Sequence, residues 1–331
     1  MITNWPSFIL AVFSCADQLI MANIRRIPAP LVFYIVAHPD DWIYFTSSIF
    51  YDVQKIGKSK NNLGKLVIVY LTSGDAGRTD GWWQAREEGA KAATRFLASM
   101  ASIETSPQNA LNGAADPSDA TNVYRFGVTT SYFLRIPDGQ VQCLLDGAAQ
   151  ETVDGVMRYR DQNDLYKRLA NIIEAERNGD SALCINTLSD RQHPPTQENC
   201  DHIALGKAIK SMVQLPNVVP NFTCVFWHAY SNADKTVHPV VEPYQIYPTN
   251  IASNAHFGLL VWKAMALGAY SGKIQDMFPE SNGVHLSSSC TEQAESVQWL
   301  SHMCIDYVYP EVANADEFYL GMPHSLRREI H

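Results

Sequence analysis

The stretch "LVFYIVAHPDDW" (residues 31–42) places an apolar run directly before a histidine, a proline and two adjacent aspartates. A second apolar run, "KLVIVYLT" (65–72), follows a segment whose apolar residues recur at helical spacing. Strand, helix and strand within about forty residues make a βαβ unit, which predicts a parallel sheet. The predicted fold class is therefore α/β and Rossmann-like, with a mostly parallel sheet, helices on both faces and long insertions.

The rest of the chain continues this alternation and shows no clear dividing linker. We predict further strands in "SYFLRIP" (131–137), "SALCINTL" (181–188) and "FTCVFWHAY" (222–230), and helices in "QNDLYKRLANIIEAER" (162–177), "CDHIALGKAIKSMV" (200–213) and most of 252–310. Residues 101–130 are polar and predict an excursion from the core. The whole chain, 1–331, is predicted to be one domain, with a core at about 31–230, an N-terminal arm (1–30) and a C-terminal helical extension (about 250–331).

Charge and composition exclude several classes of partner. The chain has 25 basic and 34 acidic residues, a formal net charge of −9, and no basic run. This balance argues against binding to nucleic acid or to an anionic membrane surface. No stretch approaches the roughly 20 apolar residues of a membrane span. The oligomeric state stays open.

The N-terminus and the cysteines bear on the cellular compartment. "NWPSFILAVFSCADQ" (4–18) contains a short apolar run but has no positively charged segment before it, so we expect an ordered arm and a cytoplasmic protein, with secretion as the alternative. The seven cysteines form no CxxC pair, which argues against a disulfide framework and a thiolate zinc site.

Polar residues follow the predicted strands, at the edge where open α/β sheets bind ligands. His38 and Asp41 stand three apart in a turn that opens a helix, so imidazole and carboxylate can converge while Asp40 points elsewhere. A divalent cation would stabilise ionised Asp41 as a ligand and leave Asp40 within reach of a metal-bound water. A third ligand must come from another strand end, and His202 is the best candidate.

A structural interpretation of the same turn competes with this one. Aspartates commonly begin helices, because they cap amide groups and favour the positive end of the helix dipole. The polar ends of the other strands, "TSGDAG" (72–77), "RIPDG" (135–139) and "NCDH" (199–202), favour the metal site.

These motifs together resemble the PIG-L/LmbE family of zinc-dependent N-acetylglucosaminyl deacetylases. "AHPDD" (37–41) matches the family's first motif, and "TSGDAG" is similar to its T-x-G-x-x-G loop. Arg86 in "AREEGAKAATRFLA", the pair Asp138 and Gly139, and "NCDH" in place of H-x-D-H follow in the family's order. The resemblance covers roughly residues 31–215.

The resemblance implies an enzyme that removes an N-acyl (acetyl) group from an N-acetylglucosamine-type amino sugar or its conjugate, an amide hydrolase acting on C–N bonds other than peptide bonds. It implies that zinc, or another divalent transition metal, is bound by His38, Asp41 and His202. It further implies that Asp40 is the general base acting on zinc-activated water. The partner would be a small amino-sugar glycoside, with its hydroxyls contacted by Arg86 and Asp138.

The chain departs from the family's pattern at three positions. Trp42 follows "AHPDD" where the family often has an acid, and Gly89 stands where it usually has a helix glutamate. Asn199 replaces the first histidine of H-x-D-H, so that either Asn199 alone assists the oxyanion or another histidine does, with His193 and His228 as the candidates. Asp75 either contacts substrate or holds its loop.

Two other functions remain as alternatives. One is a catalytically weak glycan-binding protein on the same fold, since fold does not settle function. The other is an iron(II) oxygenase, because two histidines and one carboxylate also bind iron(II), although those enzymes usually have an all-β fold. A nicotinamide enzyme is disfavoured because no G-x-G-x-x-G follows the first strand.

Overall fold

The structure, a computed structural model, describes residues 31–46, 48–57, 64–101, 122–177, 183–190, 199–215, 222–228, 244–245, 253–279 and 307–309. Only the backbone is described at 222–223, 225, 227–228, 244–245, 253–260 and 307–309. Within these ranges, no helix has both the length and the apolarity that a membrane crossing requires.

Ten strands and seven helices occur in the described residues. The strands are β1 (Leu31–Val36), β2 (Lys65–Thr72), β3 (Val123–Phe126), β4 (Thr129–Ile136), β5 (Gln150–Glu151), β6 (Arg158–Tyr159), β7 (Leu183–Leu188), β8 (Phe222–His228), β9 (Tyr244–Gln245) and β10 (Tyr307–Tyr309). The helices are α1 (Asp41–Phe45), α2 (Ser48–Gly57), α3 (Trp82–Ala101), α4 (Val141–Leu145), α5 (Gln162–Glu176), α6 (Cys200–Val213) and α7 (Ser253–Met277).

The main sheet has the strand order β3-β4-β2-β1-β7-β8-β10-β9. The strands β4, β2, β1, β7 and β8 pair in parallel, and β3, β10 and β9 add antiparallel pairs towards the edges. The chain runs outward from β1 to β2 and β4, and then returns to β7 on the other side of β1. This reversal between β1 and β7 is a topological switch point, where sheets of this kind bind ligands.

Helices cover both faces of the sheet. All six residues of β1 and seven of the eight in β2 are buried, which requires cover on both sides. Right-handed connections from β1 to β2 and from β7 to β8 run in opposite directions, so they place α2 and α6 on opposite faces. Helix α3 packs against α2 and α7, while α5 contacts α6. The predicted α/β class, with a mostly parallel sheet and flanking helices, is confirmed.

The structure differs from the predicted elements in three places. The helix predicted between the first two strands is split into α1 and α2. Strand β3 lies inside the predicted polar excursion, where it pairs with β4. Residues 307–309 form a strand paired with β8 instead of a helix, because a Tyr-Val-Tyr run suits a strand and its partner is distant in sequence. The single-domain boundaries stay a prediction, and the arm at 1–30 lies outside the described residues.

Candidate metal centre

Three side chains from two segments meet beyond the carboxyl ends of β1 and β7. His38 and Asp41 follow β1, and His202 lies in the first turn of α6. His38 Nδ1 lies 3.1 Å from His202 Nε2, and Asp41 Oδ1 lies 3.3 Å from the first nitrogen and 3.1 Å from the second. All three residues are buried. The structure thus brings together the three residues that the sequence marks as metal ligands.

The two ring nitrogens of His38 face different partners. Its Nε2 lies 3.1 Å from Asp138 Oδ1 and 3.6 Å from Asp201 Oδ2. In the singly protonated ring that a cation would bind, carboxylates at this nitrogen keep the ring proton there, and the lone pair of Nδ1 faces Asp41 and His202. An outer carboxylate of this kind commonly fixes the tautomer and orientation of a metal-binding histidine.

The three inner atoms have the spacing of zinc ligands. Atoms bound at about 2.0–2.1 Å to a tetrahedral zinc ion lie about 3.3 Å from one another, close to the separations of 3.1 to 3.3 Å found here. Three protein ligands also leave a fourth position open. Two imidazoles and a carboxylate fit other divalent transition metals as well, including iron(II).

A second group of possible ligands, His38, Asp138 and Asp201, shares His38 with the first. It is less suited to a cation, because both oxygens of Asp201 accept backbone N–H groups, from Gly139 at 2.6 Å and from Val141 at 3.2 Å. We therefore assign Asp138 and Asp201 to the support of His38.

The electrostatics of the centre favour a positive charge. Burial alone would raise the pKa of Asp41, but His202 and His38 outweigh it and hold that pKa well below the usual range. Burial alone would lower the pKa of His38, but Asp41, Asp138 and Asp201 raise it well above its ordinary value. Three carboxylates around two imidazoles give the group an excess of negative charge, most of which a divalent cation would offset.

Asp40 lies beside the metal ligands and does not cap the helix that follows it. As the N-cap of α1 it makes no side-chain cap hydrogen bond, which argues against the structural interpretation of the turn. Its Oδ1 instead accepts a hydrogen bond of 2.5 Å from Arg86 Nη2. The Asp40 side chain is 13% exposed, compared with 1% for His202, so a small molecule can reach it.

Arg86 makes contacts within the protein. Besides Asp40, it donates from Nη1 to the carbonyl oxygen of Gly74 at 2.9 Å and from Nε to Tyr270 Oη at 2.7 Å. The structure therefore shows Arg86 holding the carboxylate predicted to be the base. Its contact with a sugar hydroxyl stays a prediction.

The loop after β2 and the turn after β4 are joined through Asp75 and Asp138. Asp75 Oδ1 accepts from Ser73 Oγ at 2.6 Å and from the backbone N–H of Asp138 at 2.8 Å, and its Oδ2 accepts from the backbone N–H of Gly77 at 2.9 Å. Asp75 is buried, so these contacts favour the loop-holding interpretation. Asp138 is 23% exposed, and its bond to His38 does most to lower its pKa to about 2.

A distortion of β4 precedes the turn that carries Asp138. Arg135 has a φ of 57°, in the left-handed region that non-glycine residues seldom adopt, and the pairing with β2 shifts register nearby. Its guanidinium donates to both carboxylate oxygens of Glu87 and to Asp154, each at 2.8 Å. These ion pairs hold the strained residue and so help to fix the turn at 137–139.

Asp201 is a site residue that the sequence analysis did not single out. It is fully buried, and it ties the turn after β4 to helix α6 while facing His38. The sequence feature that points to Asp201 is its place in "NCDH", one residue before the predicted ligand His202.

The predicted oxyanion group is only partly described. Asn199 is the N-cap of α6, and its Oδ1 accepts from the backbone N–H of Asp201 at 2.8 Å. An oxyanion accepts hydrogen bonds, so the Asn199 side chain would have to donate to it from its amide nitrogen, Nδ2. His193 lies outside the described residues, and His228 is described by its backbone alone. The oxyanion role therefore stays a prediction.

Trp42 belongs to the core. It is fully buried, and its Nε1 donates to Tyr70 Oη at 2.9 Å. The departure from the family's acid at this position thus adds an aromatic residue to the packing behind the site.

A model of the PIG-L family, described as GlcNAc-PI de-N-acetylase, matches residues 33–213 of this chain. These residues include most of β1, the strands β2, β4 and β7, helix α6 and every side chain of the candidate metal centre. The chain belongs to the PIG-L family. The resemblance seen in the sequence motifs is confirmed, over nearly the same residues.

Comparisons with individual proteins add little to the PIG-L assignment. A search of curated proteins gave no match. N,N′-diacetylchitobiose deacetylase from Pyrococcus horikoshii, solved in complex with its inhibitor MPG, is 13% identical with a TM-score of 0.46, and the alignment covers 99% of each chain. GalB, the 4-carboxy-2-hydroxymuconate hydratase from Pseudomonas putida, is 12% identical with a TM-score of 0.36, covering 76% of this chain and 90% of the other. The conserved protein TT1542 from Thermus thermophilus is 14% identical with a TM-score of 0.36, covering 84% and 91%. These likenesses are too weak to support an activity.

Proposed function

We propose that this PIG-L family protein is a metal-dependent hydrolase that removes the N-acetyl group of an N-acetylglucosamine-type amino sugar or its conjugate. The observation that carries the proposal is the convergence of His38, Asp41 and His202 with Asp40 beside them. A ligand set of this kind next to a partly exposed carboxylate has the composition of a hydrolytic metal site.

The residues divide the chemistry between them. His38, Asp41 and His202 would hold a zinc ion, which when bound supplies a water of lowered pKa and a Lewis acid for the amide carbonyl. Asp40 would take a proton from the attacking water and deliver it to the nitrogen of the departing amine. The C–N bond breaks, and acetate and a free amino sugar are released.

The surrounding residues would prepare these groups. Asp138 would accept the Nε2–H of His38, with the Asp201 carboxylate 3.6 Å from the same nitrogen, so that the Nδ1 lone pair stays directed at the cation site. Asp138 is the more exposed of the two, and we propose that its free surface also meets a sugar hydroxyl. Arg86 keeps the Asp40 carboxylate in place.

The test is acetate release by the purified full-length protein. We expect the zinc-loaded protein to release acetate from N-acetylglucosamine conjugates, and we expect a chelator to abolish the release and added zinc to restore it. The matched variant Asp40→Asn should bind zinc and sugar without releasing acetate. If the zinc-loaded protein binds sugar but hydrolyses none of a broad panel of N-acyl amino sugars, the glycan-binding alternative is correct and the enzyme proposal is wrong.

A further inference from the structure

Helix α7 reaches the candidate site although it lies beyond the residues that the PIG-L model matches. The matched region ends at residue 213, and α7 spans Ser253–Met277. Tyr270 on this helix is fully buried, and its hydroxyl accepts a hydrogen bond of 2.7 Å from Arg86 Nε. The C-terminal part of the chain therefore contacts a residue that holds Asp40.

The Arg86 guanidinium is fixed at three points. Nε donates to Tyr270, Nη1 to the carbonyl oxygen of Gly74, and Nη2 to Asp40 Oδ1. Because the guanidinium is a rigid planar fork, each of these bonds constrains the direction of the other two. Loss of the bond at Nε would leave the plane free to tilt, and the Asp40 carboxylate would tilt with it.

Gly89 allows Tyr270 to come this close. It lies one helical turn after Arg86 on α3, and a Cβ added to it would lie 2.7 Å from Tyr270 Cδ2 and 2.8 Å from the Tyr270 carbonyl oxygen. Any larger residue would push α7 away from α3. The glycine is thus the local reason that the phenol reaches the arginine.

A second side chain of α7, Lys263, contacts the short helix α1, which begins at Asp41. Lys263 is fully buried, and its Nζ donates to the carbonyl oxygen of Tyr44 at 2.8 Å. Tyr44 lies in α1, the short helix that begins at the proposed ligand Asp41. Helix α7 therefore touches both the helix that carries a metal ligand and the arginine that holds the proposed base.

The charge states agree with this arrangement. Burial raises the pKa of Tyr270 well above its ordinary value, so the phenol stays neutral and can accept from Arg86. Burial would lower the pKa of Arg86, but the neighbouring Asp40 and Tyr270 raise it, so the guanidinium stays charged.

We infer that Tyr270 is a positioning residue for the proposed hydrolysis, acting through Arg86 to orient the carboxylate of Asp40. The inference rests on the proposed function. Helix α7 would then contribute to the site, although it lies outside the residues matched by the family model.

The first test compares Tyr270→Phe with Tyr132→Phe in the zinc-loaded full-length protein. Tyr132 is a matched control, because its buried hydroxyl donates to Glu176 at 2.6 Å, away from the site. We expect Tyr270→Phe to lower kcat about 10-fold or more, with zinc content unchanged and KM within about 2-fold, because only the orientation of the base is lost. Tyr132→Phe should keep the kcat of the unsubstituted protein. An unchanged kcat in folded Tyr270→Phe would overturn the inference.

A double-mutant comparison shows whether Tyr270 acts through Arg86. Lysine has no Nε donor, so Tyr270→Phe should change kcat by less than about 2-fold in an Arg86→Lys background. A full 10-fold loss in that background would mean that Tyr270 acts by another route. If Tyr270→Phe alone does not fold, this comparison still decides, because the double variant leaves no guanidinium Nε unpaired.

The two proposals fail in different ways. Absence of acetate release by the unsubstituted zinc-loaded protein refutes the proposed function. Acetate release that is equal in the unsubstituted protein and in Tyr270→Phe refutes only the role of Tyr270.

Discussion

His38 Nδ1 and His202 Nε2 lie 3.1 Å apart, although 164 positions separate the two residues in the chain. Two imidazole nitrogens at this distance need either a shared proton or a cation between them. Asp41 Oδ1 lies within 3.3 Å of both, so a cation can be bound by all three. The first prediction concerns this cation.

We predict that His202→Ala loses most of its zinc, whereas Asp40→Asn keeps it. His202 would supply one of the three proposed ligand atoms, while the Asp40 carboxylate accepts from Arg86. Asp40→Asn should lower kcat by about 100-fold or more, the range typical for loss of a general base. Zinc per chain, measured by elemental analysis after dialysis, checks the first part. Full zinc in His202→Ala would indicate another third ligand, and zinc loss in Asp40→Asn would show that the base and ligand roles are misassigned.

The second prediction is that Asp201→Asn weakens zinc binding about 10- to 100-fold, the range typical for support of a ligand histidine. The carboxylate accepts from the backbone N–H groups of Gly139 and Val141 and faces His38 Nε2. An amide of the same shape would turn one acceptor into a donor and lose one of these contacts. Competition with a fluorescent chelator measures the affinity. Asp146→Asn, at an exposed carboxylate just after α4, is the control and should keep the affinity of the unsubstituted protein.

The sequence was sufficient to predict the strands β1, β2, β4 and β7 and the meeting of His38, Asp41 and His202. Apolar runs mark buried strands, and the carboxyl ends of parallel strands share one edge. These inferences need only local patterns and one general rule of topology.

The contacts of Arg86 could not be predicted in the same way. Its partner Tyr270 is 184 positions away, and no local pattern links the two. In the sequence, Gly89 is only a departure from a family pattern. The structure explains the glycine, because Tyr270 of α7 packs against it and leaves no room for a Cβ. Asp201 was also missed, because a carboxylate at a helix start can equally serve as a cap, a ligand or a support.

The third prediction is that Gly74→Ala lowers kcat about 10-fold or more while zinc content stays unchanged. Gly74 has a φ of +59°, and a Cβ there would lie 2.2 Å from Arg86 Nη1, so the guanidinium must shift from the position in which it donates to Asp40. Gly147→Ala is the matched control, since Gly147 has a φ of +91° with open space around it. Both variants should lose about 1–2 kcal/mol of stability from the left-handed backbone. Equal kcat in the two variants would contradict the importance of the position of Arg86.

The fourth prediction concerns stability at alkaline pH. Tyr159 is buried, and its hydroxyl has no hydrogen-bond partner among the described residues. Burial raises the pKa of Tyr159 to about 12, above the value of about 10 expected in the unfolded chain. The unfolded chain therefore loses this proton first, and the stability that the group contributes is full below about pH 10 and is lost as the pH rises towards 12.

Tyr159→Phe should remove the part of the loss of stability at alkaline pH that comes from this hydroxyl. At pH 7 we expect its free energy of unfolding to be unchanged or higher by about 1 kcal/mol, because an unpaired buried hydroxyl is replaced by hydrogen. Tyr132→Phe should instead lose about 1–2 kcal/mol, because Tyr132 donates to Glu176 at 2.6 Å. Urea unfolding at pH 7 and at steps up to about pH 11 measures both variants. A loss of 1 kcal/mol or more in Tyr159→Phe at pH 7 would show that the hydroxyl has a partner, and an unchanged alkaline loss would place the responsible group elsewhere.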